Sequence, residues 1–234
     1  MPASRPYQPL LLRLLHGLTG GCAIAAILTA YWTYTTYDNR WGGLPLPLWR
    51  AVEGIHGTFG LWTLLLFPAL TIYALRRGQN RLLQTNTADH LQQIGQPIWW
   101  YTLHRATNSL MLLALTTALF TGKMMDSTWL PQGELTHAWY YAHLTAWVGL
   151  VMALALHLLM SAKIGGRPLL LSIWDWRFRP QDHPRHWWPQ ILQSHKTWSL
   201  DAIALWVQTL TAYKVAEISI LLSLAIAWIA PLFK

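Results

Sequence analysis

Ten histidines occur in a chain of 234 residues in which only 11% of the side chains are charged. Four of them, His16, His56, His143 and His157, fall in long apolar runs. An ionisable group inside a bilayer is costly, so a histidine there points to function by default. Neutral imidazole is a natural axial ligand of haem iron, and two imidazoles per iron fill both axial positions, which suits electron transfer better than oxygen binding. The spacing of His143 and His157 fits that chemistry. On a helix their 14-residue separation becomes a rise of roughly 21 Å and a rotation of roughly 40°, so one helix can direct both rings toward nearly one face.

The elements that carry these residues are visible as stretches without charge. Arg13 to Asp38 encloses 24 uncharged residues, Glu53 to Arg76 encloses 22, and Glu134 to Lys163 encloses 28. Arg105 to Lys123 encloses only 17, but Ile98-Trp99-Trp100-Tyr101 extends that run backwards. A span needs about 20 mostly apolar residues, so these four runs predict four transmembrane helices. A fifth run, Ile218 to Phe233, has 16 residues and can begin at Val215. It predicts a fifth span at the C-terminal end, the alternative being a helix packed on the bundle or lying in the interface. The expected fold is all-α: a transmembrane four-helix bundle with a fifth C-terminal span. The first run is too long for the apolar core of a cleavable signal peptide.

Lys and Arg are unevenly shared. The N-terminal segment and the second-to-third and fourth-to-fifth connections hold 13 of the 17; Arg40, Arg50, Lys123 and Lys234 make up the rest. The positive-inside rule then puts the N-terminus in the cytoplasm. A formal charge of +8 is accounted for by loops facing anionic lipid, with no nucleic-acid partner. The single cysteine, Cys22, excludes an intramolecular disulfide framework, a cysteine-held iron–sulfur cluster and CxxCH haem attachment. No GxxxxGK[ST], GxGxxG or HExxH occurs, so nucleotide and zincin chemistry have no motif behind them. The connection from Lys163 to Lys214 carries Trp174, Trp176, Trp187, Trp188 and Trp198 among basic residues, then an amphipathic run from Leu200 to Tyr213. It suits a segment hugging the membrane interface, a docking surface for a partner, or both.

Alternation of the spans sorts the histidines by depth. His16 and His157 share the cytoplasmic side, and His56 and His143 share the outer side. Small residues flank them in Gly17-Leu18-Thr19-Gly20-Gly21 and in Gly54-Ile55-His56-Gly57-Thr58-Phe59-Gly60. They suit either a flat cofactor approaching the helix backbone or close helix packing, and their clustering at His16 and His56 favours the cofactor. Arg13 and Arg105, at cytoplasmic span ends, suit haem propionates or plain positive-inside anchoring. His104 is a rival at cytoplasmic depth: a ligand, a quinone partner or an interfacial residue, with Asn108 one turn on. His137, six residues before His143, lies off that residue's helix face and suits an interfacial role. His90, His183, His186 and His195 sit in polar connections.

The motifs Arg13-Leu14-Leu15-His16 and Gly54-Ile55-His56-Gly57, with the His143-x13-His157 pair, resemble the bacterial cytochrome b561 and nickel–iron hydrogenase b-type cytochrome family, which includes membrane subunits of respiratory formate dehydrogenases. The resemblance covers roughly residues 8–165. It implies a dihaem core there; the Trp-rich cytoplasmic segment at 166–214 and the fifth helix at 215–234 lie outside the family's four-helix core. It implies two non-covalent haem b groups with bis-histidine ligation, His56 with His143 and His16 with His157, and quinone or quinol reactivity close to one haem. The expected function is electron transfer between a quinone pool and a redox partner subunit, in a bacterial inner membrane or a thylakoid membrane. The rival readings are a stand-alone quinol:superoxide oxidoreductase and a haem-free transporter or proton relay using the same histidines.

Overall fold

The computed structural model describes residues 6–177, 179–187 and 211–233, and among them every regular element is helical. Five helices are long: α1 (Leu10–Tyr37), α2 (Val52–Arg76), α4 (Pro97–Met124), α6 (Ala138–Leu170) and α7 (Ala212–Ile229). Two short ones, α3 (Thr87–Leu91) and α5 (Trp129–Gln132), sit in the connections. Among the described residues four helices are long and apolar enough to cross a membrane: α1, α2, α6 with the turn that follows it, and α7 with its own final turn. Helix α4 has the same 28-residue length as α1 but is more polar, with Thr, His104, Asn108 and Arg105 along it. It lies packed against α6 and α7. The chain is a multi-pass, all-α membrane protein.

The bundle is two hairpins. Helix α1 packs closely on α2 and α4 packs closely on α6, whereas α1 and α6, like α2 and α4, touch little. Between the hairpins Leu64, Phe67, Leu115, Leu119, Ala146 and Leu150 form an apolar core. Buried threonines in it return their hydroxyls to their own helix: Thr63 Oγ donates to Phe59 O (2.8 Å), Thr102 to Ile98 O (2.8 Å) and Thr116 to Leu112 O (2.7 Å). Such bonds hide a hydroxyl where no water is available to take it.

Helix α7 spans both hairpins, packing on α2 and on α4. At one end Glu217, 5% exposed in its side chain, receives Arg76 through Nη2 (2.6 Å) and Nε (2.8 Å). A carboxylate so withdrawn from water needs this partner. Tyr213 OH donates to Leu83 O (2.5 Å) and accepts from Gln84 Nε2 (2.8 Å). At the other end the Lys123 ammonium lies 5.8 Å from the Trp228 ring centre.

Helix α6 breaks at Gly166, where φ is +58°. A glycine accepts that left-handed conformation at no steric cost, and Pro168 follows it. The chain then folds back so that Ile173 meets α1 at Gly17, 3.9 Å from where a Cβ would stand. Tyr7 joins this return to the N-terminal strap: its hydroxyl donates to Asp182 and accepts from Arg179 N (3.1 Å). Trp174 and Trp176 are exposed; Trp188, Trp198, His195 and most of the Leu200–Tyr213 run lie outside the described residues.

Candidate functional site

The four predicted histidines meet in two pairs. His56 on α2 and His143 on α6 have ring centres 6.0 Å apart, and His16 on α1 and His157 on α6 have ring centres 6.1 Å apart. Each pair crosses from one hairpin to the other, where helix contact is sparse.

The ring nitrogens sort themselves by their partners. His56 Nδ1 lies 3.0 Å from Ala26 O, a carbonyl that can only accept, so Nδ1 carries the proton. His143 Nδ1 lies 3.0 Å from Thr121 Oγ1, whose own hydrogen goes to Thr117 O (2.8 Å). Again Nδ1 donates. His157 Nδ1 lies 2.9 Å from Asn108 Oδ1, and the Asn108 amide is held in that sense because its Nδ2 donates to Arg81 O (2.8 Å). In these three imidazoles Nε2 is therefore the lone-pair nitrogen. A metal-binding histidine is oriented this way, with its other nitrogen donating to a carbonyl or hydroxyl.

The surroundings also suit a flat group. A metal bonded to both rings at about 2.0 Å, with each nitrogen about 1.1 Å from its ring centre, sets the centres about 6 Å apart. A cavity of about 780 Å³ contains His56 and His143 and is walled by Gly57, Gly60, Ala26 and Leu119, within the range of cofactor pockets. A Cβ built on Gly57 or Gly60, both in that wall, meets nothing within 4 Å. Close helix packing would have put atoms there. Gly122 is the exception, since its Cβ would stand 3.0 Å from His143 Cε1. Among the described residues no group of three His, Cys, Asp or Glu side chains forms a metal cage. Each pair thus suits a metal that arrives with its other donors, as porphyrin iron does.

The His16 end is more crowded. His104 lies 6.3 Å from His157 between ring centres, the planes 20° apart, and its Nε2 is 3.2 Å from Ser161 Oγ. Arg13, one turn before His16, is 5% exposed, and its Nε and Nη2 have no hydrogen-bond partner. Arg105, one residue after His104, donates from Nε to Asn80 O (3.0 Å). Arg81, in the turn after α2, accepts the Asn108 amide at its carbonyl and so fixes the group that meets His157.

A model of the prokaryotic cytochrome b561 family matches residues 7–176. The chain belongs to this family. It is accordingly a membrane b-type cytochrome, with haem b as cofactor, lipid around it and electron-transfer partners. No curated protein and no solved structure matches it. The family match ends just beyond α6, so α7 lies outside it.

Sequence reasoning missed Thr121, Gly122, Ser161, Arg81 and the Arg76–Glu217 pair. It noticed Asn108 but set it beside His104, whereas its oxygen meets His157. His137 stacks on Trp129 with ring centres 3.8 Å apart and lies 3.3 Å from Glu134, in the connection before α6.

Proposed function

We propose that the chain holds two haem b groups non-covalently, one between His56 and His143 and one between His16 and His157, and moves electrons between a membrane quinone pool and a redox partner. The observation that supports this most is the pair of ring separations, 6.0 and 6.1 Å, at two depths of one bundle. Bound haem supplies a one-electron ferric–ferrous couple; everything else is the work of the chain. His56, His143 and His157 offer Nε2 because Ala26, Thr121 and Asn108 take the Nδ1 proton. His16 is preferred to His104 at its end because His104 Nε2 is engaged by Ser161. Arg13 brings a buried guanidinium with unmet donors, which suits a propionate. Arg105, held at Nε by Asn80 O, is the second cation available to a propionate at this end.

In this reading residues 8–165 are the dihaem core, 166–214 a cytoplasmic Trp-rich segment and 215–234 a fifth span. The distribution of Lys and Arg puts the N-terminus and that segment on the cytoplasmic, or stroma-like, side. Single cysteines introduced as Q79C, Q181C and G42C test this: membrane-impermeant reagent added outside should label only G42C. Outside labelling of Q79C or Q181C reverses the topology.

Haem quantification with a reduced-minus-oxidised spectrum on the purified chain tests the cofactor reading. Two haem b per chain, fully released by acidified solvent, are expected. Covalently retained haem, or a colourless folded protein, would overturn it.

A further inference from the structure

Helix α7 stands outside the family match, yet it reaches the cavity of the His56–His143 pair. Pro231, in the turn that ends it, lines that cavity. One turn earlier the Trp228 ring faces the Lys123 ammonium at 5.8 Å. Lys123 lines the same cavity and follows directly on Gly122, the residue pressed against the His143 ring. Among the described lining residues it is the one Lys or Arg, and the acids facing the space are Glu53 and Asp126. A lysine stem has four rotatable carbons and little fixed direction of its own; an aromatic face within about 6 Å supplies one.

We propose that α7 is part of the redox centre at this end: Trp228 positions Lys123 as the cation facing the acidic edge of a haem held by His56 and His143. The inference rests on the two-haem reading above. Its consequence is electrostatic. Reduction of the iron lowers the net charge of the site by one, and a fixed positive charge nearby favours the state with the added electron. Charges that line one cavity interact more strongly than charges separated by bulk water. Lys123 thus raises the reduction potential of this haem, partly offsetting Glu53 and Asp126. The same contact links the hairpins, since α7 is held to α2 at Arg76–Glu217 and to α4 at Lys123–Trp228.

The test is a redox titration of the full-length, haem-loaded protein in detergent, following both haem components. K123Q should weaken reduction of the His56-end haem about tenfold, which for one electron is about 59 mV, and leave the other component in place. K123R should restore the original value. W228L should shift the same component in the same direction, W228F should shift it less, and the K123Q/W228L double variant should go no further than K123Q alone. An unchanged potential in K123Q, equal shifts in both components, or additive effects in the double variant would overturn the assignment. Haem count in the unmodified protein separates this from the reading beneath it: absence of a haem at the His56 end defeats the two-haem function itself, whereas a bound haem indifferent to Lys123 defeats only the role of α7.

Discussion

The two histidine pairs have nearly the same ring separation and very different surroundings. At the His56 end the imidazoles are held by Ala26 and Thr121, Gly122 leaves room for one ring, and a helix outside the family match contributes Pro231 to the cavity wall. At the His16 end a third imidazole, an amide and the buried Arg13 gather, and the returning chain at Ile173 packs against α1. Spacing decides that both ends can hold the same kind of group. Surroundings decide how the two groups differ. The buried Arg13 guanidinium favours added electrons at its end, whereas Glu53 and Asp126 face the other, so the His16-end haem should carry the higher reduction potential.

The largest effect expected from a change outside the ligands is at Gly122. Its missing Cβ leaves the His143 ring its place: a Cβ there would stand 3.0 Å from Cε1 and 3.4 Å from Nδ1 of a ring whose Nδ1 is already held by Thr121. Gly122→Val should remove most of the haem at the His56 end and spare the other, as read by haem content and by the surviving spectral component. Loss of both haems together would mean that the ends are not independent.

Removing the acceptors of the Nδ1 protons sharpens the comparison. Asn108→Ala frees His157 and should weaken haem retention at the His16 end by about 10- to 100-fold, the usual cost of losing such a partner. Thr121→Ala should act likewise on the His56 end. His56 itself is protected, because its acceptor is the Ala26 carbonyl and no side-chain change removes it. Haem-transfer competition measures all three, and equal retention in Asn108→Ala and the parent would contradict the proposed orientation of His157.

A smaller effect is expected from Arg13→Gln. Loss of a buried positive charge should lower the His16-end potential by about 59 mV, a tenfold change in the equilibrium for one electron, with the His56-end value unmoved. A titration in which the two components move together would contradict the local reading of the charge. The smallest effect is structural. Glu217→Gln removes one charge of the α2–α7 pair while Arg76, 55% exposed in its side chain, can turn to water. A loss of about 1 kcal/mol in resistance to denaturation is expected, with both spectra kept.

Much of this arrangement was legible from the chain because bilayers impose length. Charge-free runs locate α1, α2 and α6, and alternation of direction sets His16 beside His157 and His56 beside His143 in depth. The fifth run, weakest by length, is a helix packed on α2 and α4. Rotation was not legible. In a membrane the lipid-facing and the inward-facing sides of a helix are both apolar, so periodicity carries little information about which residues turn inward. Thr121 and Gly122 therefore looked like ordinary members of an apolar run, and Asn108 could be assigned a depth but not a partner. Glu217 reads as the boundary of a span, and only the fold shows it buried against Arg76. The glycines around His56 allowed two readings until the space beside them was seen to be open.

The most direct test of the central claim is a set of single alanine variants, His16→Ala, His56→Ala, His104→Ala, His143→Ala and His157→Ala, each purified and its haem spectrum resolved into components. The pairing predicts that His56→Ala and His143→Ala lose the same component, that His16→Ala and His157→Ala lose the other, and that His104→Ala keeps both. If His104→Ala loses a haem while His16→Ala does not, α4 rather than α1 supplies the ligand at that end and the pairing is wrong.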